Sequence, residues 1–94
     1  MIEEHQTCER VVTIQNRHGL HARPAAEFVK TAHTFGAEVW VRKAELEVNG
    51  KSIMGMMMLA AEHGTEIVIR AAGDDAEAAV DALSALVDGR FGEA

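Results

Sequence analysis

Two hydrophobic periods alternate along this chain, and no other feature limits its fold as tightly. A period of two marks a strand with one buried face, and a period near 3.6 marks a helix with an apolar stripe. Residues 8–15 alternate, with Val12 and Ile14 on one side and Glu9, Thr13 and Gln15 on the other. From about Ala22 to His33 the period changes, and Ala25, Phe28, Val29 and Ala32 form a helical stripe. Two strands follow. Residues 37–43 turn Val39 and Val41 inward and Trp40 outward, and residues 45–48 set Leu46 and Val48 against Glu45 and Glu47. Asn49-Gly50 is a turn signal, Ser52 to about Leu59 is a short helix, and His63-Gly64 is a loop. A fourth strand over 65–72 points Ile67, Ile69 and Ala71 to one side. Asp74 and Glu77 have the spacing of a capping box before a last helix over 75–88, with Ala76, Val80, Leu83 and Val87 as its stripe and Gly89 as its stop. The order β-α-β-β-α-β-α, with one-sided strands, predicts an α+β fold: a mainly antiparallel sheet covered by helices on one face only.

Ninety-four residues make one domain, residues 1–94, with flexible tails expected at 1–6 and 90–94. The net charge is −6 with no basic run, which argues against a nucleic-acid partner. A single cysteine, Cys8, excludes an internal disulfide and fits a reducing compartment, where it serves as a small apolar side chain. The acidic start, Met1 to Gln6, lacks the apolar block of a signal peptide, and no apolar run approaches the ~20 residues of a membrane span. A cytoplasmic protein is expected.

Gly19-Leu20-His21-Ala22-Arg23-Pro24-Ala25 stands at the mouth of the first helix. Unpaired N–H groups and the positive dipole end make a helix start a place for an anion. Arg23 adds a planar fork of donors, and Pro24 is tolerated in a first turn because its missing N–H costs little there. A phosphoryl group on His21 would use every part, with the backbone amides of Ala22 and Arg23 as donors. Both the helix terminus and Arg23 should disfavour the imidazolium form and keep His21 nucleophilic. His18 lies three residues earlier, but two imidazoles are not a metal site, so no metal is expected.

This segment resembles the active-site motif of HPr, the histidine-containing phosphocarrier family of bacterial phosphotransferase systems, and the likeness in element order covers essentially the whole chain. The resemblance implies an open-faced sandwich with strand order 1-4-2-3 and three helices on one face. It implies a phosphocarrier, not an enzyme with its own turnover, and no cofactor. The expected route runs from phosphorylated enzyme I to Nδ1 of His21 and on to an enzyme IIA-type protein. His21 would be the covalent carrier and Arg23 its charge stabiliser. A monomer making transient complexes is expected.

Asn49-Gly50-Lys51-Ser52-Ile53-Met54-Gly55 is a second motif. Ser52 is suited to cap the short helix. The segment also resembles the regulatory serine region of HPr proteins, which implies phosphorylation of Ser52 by HPr kinase/phosphorylase. A helix of eight residues cannot bury all its sides, so Met56 and Leu59 are assigned to the core, while Ile53, Met54 and Met57, with Leu20, match family positions that dock partners. Two alternatives stay open: a nitrogen-branch paralogue working in a regulatory relay, and a regulatory binding domain without histidine phosphotransfer. The roles of His18 and Trp40 stay open as well.

Overall fold

The computed structural model describes residues 6–94. Strand β1 (Thr7–Thr13) leads into helix α1 (Ala22–Ala32), then β2 (Glu38–Lys43), β3 (Leu46–Asn49), helix α2 (Ile53–Met58), β4 (Glu66–Ala72), helix α3 (Ala76–Asp88) and a 3-10 turn at Arg90–Gly92. The four strands form one sheet in the order β1-β4-β2-β3, with every neighbouring pair antiparallel. This is the expected α+β open-faced sandwich.

The strand at the centre of the packing is β4. Its alternation places Ile67, Ile69 and Ala71 fully inside. Register then fixes the neighbours: Ile67 lies opposite Val12 of β1, Ile69 opposite Val41 of β2, and Ala71 opposite Val39. Helix α1 lays Ala25, Phe28, Val29 and Ala32 on this layer, and α3 adds Ala76, Ala79, Val80, Leu83 and Val87. Each such aliphatic or aromatic side chain taken fully out of water contributes roughly 1.5–3 kcal/mol before chain entropy is set against it.

The other sheet face is open, and Trp40 stands on it. Arg70, its partner across the β2–β4 register, lays its guanidinium 4.1 Å from the centre of the indole ring. Glu47 on β3 also reaches that guanidinium, at 3.4 Å. Shielding by a strand neighbour therefore accounts for Trp40 within the chain.

Three details differ from the sequence pattern. Leu46 is exposed and Val48 only half-buried, because β3 is an edge strand. The capping box of Asp74 and Glu77 does not form. Asp75 is the N-cap and makes no capping bond, since its carboxylate accepts the N–H groups of Gly36 at 2.9 Å and Ala37 at 2.8 Å. Those bonds, led by Gly36, hold the Asp75 carboxyl below its usual range despite partial desolvation, and they pin the α1–β2 turn to the start of α3.

The third difference is the C-terminal segment. Residues 90–94 are not a free tail: Phe91 is buried in the core, with Arg90 and Phe91 both at positive φ to turn the chain inward. At the other end, residues 1–5 of the expected tail lie outside the described residues. The carbonyl of Gln6 accepts the N–H of Gly73 at 2.8 Å. Phe91→Ala is expected to lower unfolding free energy by about 3–5 kcal/mol in chemical denaturation. An unchanged midpoint would return residues 90–94 to the status of a tail.

Candidate functional site

The loop before α1 is shaped by Gly19. Its φ is +67°, and a β-carbon there would run into the carbonyl oxygen of Ala61, which also accepts the N–H of Leu20 at 2.9 Å. The chain is thereby turned so that Leu20 points into the core, only 5% exposed. Leu20 is therefore a packing residue and not the docking residue expected from the sequence. The same turn leaves His21 outside, as the N-cap of α1, with 41% of its side chain exposed.

Helix α1 begins with two usable orphan donors. Ala25 N–H already bonds the His21 carbonyl at 3.0 Å, and Pro24 has no N–H. The amides of Ala22 and Arg23 remain, facing the space in front of the helix, where the dipole end is positive.

Glu93 completes the site from the other end of the chain. Its carboxylate accepts from Nδ2 of Asn16 at 3.0 Å and from Nε of Arg23 at 2.8 Å, and Nη2 of Arg23 lies 2.7 Å from it as an ion pair. His21 Nε2 lies 3.0 Å from Oε2 and 3.2 Å from Oε1. Partial burial acts to raise the Glu93 carboxyl, but the hydrogen bonds from Arg23, His21 and Asn16 outweigh it and bring it to about 2. Glu93 is thus ionised at neutral pH and can only accept. In the neutral ring Nε2 of His21 is then the protonated nitrogen, and Nδ1 carries the free lone pair.

Arg23 and Asn16 are held in turn. Arg23 Nη2 donates to the carbonyl of Phe91 at 2.7 Å, and Nη1 reaches Glu27 at 3.4 Å. Asn16 is fully buried and also donates to the carbonyl of Gly19 at 2.7 Å, so it links the loop to Glu93. Its Oδ1 has no partner among the described residues. Neither Glu93 nor Asn16 was among the candidate residues of the sequence, and only the phenylalanine within Gly89-Arg90-Phe91-Gly92 hinted that the C-terminus is anchored. Glu93 also adds a negative charge to a field that the sequence alone made wholly positive. His18 stands beside the site, its ring edge-on to that of His21 with centres 6.0 Å apart.

The arrangement offers a nitrogen nucleophile with its tautomer set, two unpaired amides and a guanidinium. Those are the parts of a phosphoryl acceptor. Among the described residues no cluster of His, Cys, Asp and Glu could hold a metal ion, and no helix is long and apolar enough to cross a membrane.

The second motif sits on α2. The Ser52 hydroxyl accepts the N–H of Gly55 at 3.0 Å, the expected cap. Met56 and Leu59 are buried, whereas Ile53, Met54 and Met57 are exposed, together with Met58. Lys43 closes the far end by donating to the carbonyls of Leu59 at 3.0 Å and Ala60 at 3.3 Å.

The chain is similar to known proteins over most of its length. Residues 8–88 match the family described as PTS-HPr, "PTS HPr component phosphorylation site". The phosphocarrier protein HPr of Neisseria meningitidis serogroup B is 51% identical over 82 residues, spanning 87% of this chain and 92% of its own. The phosphocarrier protein NPr of Shewanella violacea is 43% identical over 86 residues, spanning 92% and 94%. A crystal structure of HPr from Thermoanaerobacter tengcongensis superposes with a TM-score of 0.89 at 47% identity, covering 93% of this chain and 98% of that one.

Two outcomes are expected. The folded Glu93 carboxyl titrates near 2 against an ordinary 4.5, so its contribution to stability is complete above pH 4.5 and is lost as pH falls toward 2. Thermal unfolding of Glu93→Gln should lack that part of the acid loss; the same acid profile in both proteins would contradict the contact. Leu20→Ala should lower stability by about 2–5 kcal/mol, whereas Met54→Ala stays within about 0.5 kcal/mol. Equal, small effects would place Leu20 at the surface.

Proposed function

The chain belongs to the HPr family, the phosphocarriers of the phosphotransferase system, and we propose that it carries its phosphoryl group on Nδ1 of His21. The observation that supports this most is the contact between His21 Nε2 and the ionised Glu93, which leaves Nδ1 unprotonated in front of the Ala22 and Arg23 amides. The Nδ1 lone pair forms the bond to phosphorus as the donor's bond to phosphorus breaks. The Nε2 proton stays in place, so the phosphorylated ring is cationic and keeps its partner in Glu93. Arg23, paired with Glu93 and Phe91 in the resting site, is drawn to the incoming dianion.

As a member of this family the chain works with phosphotransferase-system enzymes such as enzyme I and IIA. Phosphorylated enzyme I is the proposed donor and a IIA-type protein the acceptor. Ile53, Met54 and Met57 are proposed to dock both, a role supported by their exposure on one side of α2 while Met56 and Leu59 anchor the other. Flexible thioethers suit a surface that must fit several partners in turn. Ser52 is the proposed target of HPr kinase/phosphorylase, supported by its half-exposed place in the Lys51-Ser52-Ile53-Met54-Gly55 run beside that face. A phosphate there would add close to two negative charges at the rim of the docking surface and weaken transfer.

Incubation with phosphoenolpyruvate and enzyme I, read by intact mass and ³¹P NMR, tests the central step. One acid-labile phosphoryl group is expected on the wild type and none on His21→Ala. Arg23→Ala should be phosphorylated about 10²–10³-fold more slowly, the range for removing one preorganised charge-stabilising donor. A folded His21→Ala that still gains the group would place the phosphoryl group on another residue.

A further inference from the structure

We infer that Met54, Met57 and Met58 are a modification site for small peroxides, and that oxidation there disarms the exposed face of α2. The effect on phosphoryl transfer rests on the docking role proposed for that face, whereas the modification itself rests on burial alone. Helix α2 spans only Ile53–Met58, so its sides divide sharply. Met56 faces the core and is 0% exposed, while Met54 is 75%, Met57 45% and Met58 65% exposed. Residues 53, 54, 57 and 58 follow helical spacing and share one side, so three thioethers lie together on a single turn and a half.

Thioether oxidation follows access to the sulfur. The sulfur lone pair takes one oxygen of hydrogen peroxide, the O–O bond breaks, and an S–O bond forms. Sulfur loses two electrons, the peroxide is reduced, and the second oxygen leaves with both protons as water. No other reactant is needed. Each sulfoxide replaces a flexible apolar group with a polar one, which must be desolvated whenever the face is covered by a partner. Met56 is shielded, so the helix keeps its anchor and the fold survives. The change is confined to the surface and is reversible by a sulfoxide reductase.

Treatment of the whole chain with hydrogen peroxide, followed by peptide mapping, tests the site. Oxygen addition is expected at Met54, Met57 and Met58 well before Met56, and mapping separates any oxidation of Cys8. The rate of phosphorylation by enzyme I should fall about tenfold or more, as expected when most of one buried side chain's contribution is lost, and methionine sulfoxide reductase should restore it. A triple Leu variant (M54L, M57L, M58L), compared before and after peroxide, should show no change in its own rate. Oxidation of Met56 as fast as the others would overturn the modification site. Three sulfoxides with undiminished transfer, or equal loss in the Leu variant, would overturn its effect on function. A wild type that accepts no phosphoryl group before oxidation would instead overturn the assignment of His21, and the peptide map would still decide the modification.

Discussion

Everything at the site turns on one carboxylate. Glu93 gathers Asn16, His21 and Arg23 onto two oxygen atoms, and so joins three parts of the chain. Asn16 belongs to the loop after β1, His21 and Arg23 to the first turn of α1, and Glu93 to the segment after α3. A carboxylate that remains ionised to about pH 2 fixes the imidazole tautomer, which in turn decides which nitrogen is nucleophilic. It also occupies Arg23 until a stronger anion arrives.

That carboxylate can act only because the fold delivers it. The sheet places β1 beside β4, and α3 packs against both. The chain leaving α3 therefore returns toward the loop that precedes α1. Arg90 and Phe91, both at positive φ, turn the backbone so that Phe91 is buried and Glu93 reaches the imidazole. Hydrophobic burial two residues away thus sets the position of a charged group. The loop side is fixed as firmly: Gly19 permits the approach to Ala61, and buried Leu20 anchors the entry to α1.

The parts of this structure set by local periodicity were legible in the sequence. The alternation of Ile67, Ile69 and Ala71 and the stripe of Ala25, Phe28, Val29 and Ala32 mark strand and helix because each repeats against one continuous apolar layer. His21 and Arg23 were legible for a different reason, since a helix start advertises its chemistry within a few residues. Glu93 was not, because its partners are separated from it by 70 to 77 positions and no local pattern encodes such a pairing. Leu20 misled because its place in a polar loop conceals a backbone turn that drives it inward. Asp75 spends its carboxylate on Gly36 and Ala37, so a tertiary tie replaced the local cap that the Asp74 and Glu77 spacing suggested. The family resemblance supplied the strand order, which the periods alone left open.

The most direct test of the site is the tautomer of His21 in the unphosphorylated protein. Two-bond ¹H–¹⁵N correlation spectra of the imidazole, recorded above its titration, should show the proton on Nε2 and an unprotonated Nδ1. After phosphorylation, ³¹P coupling should appear on Nδ1 alone. A proton on Nδ1 in the resting state would contradict the role assigned to Glu93, because the nitrogen that must attack phosphorus would then be the one without a lone pair.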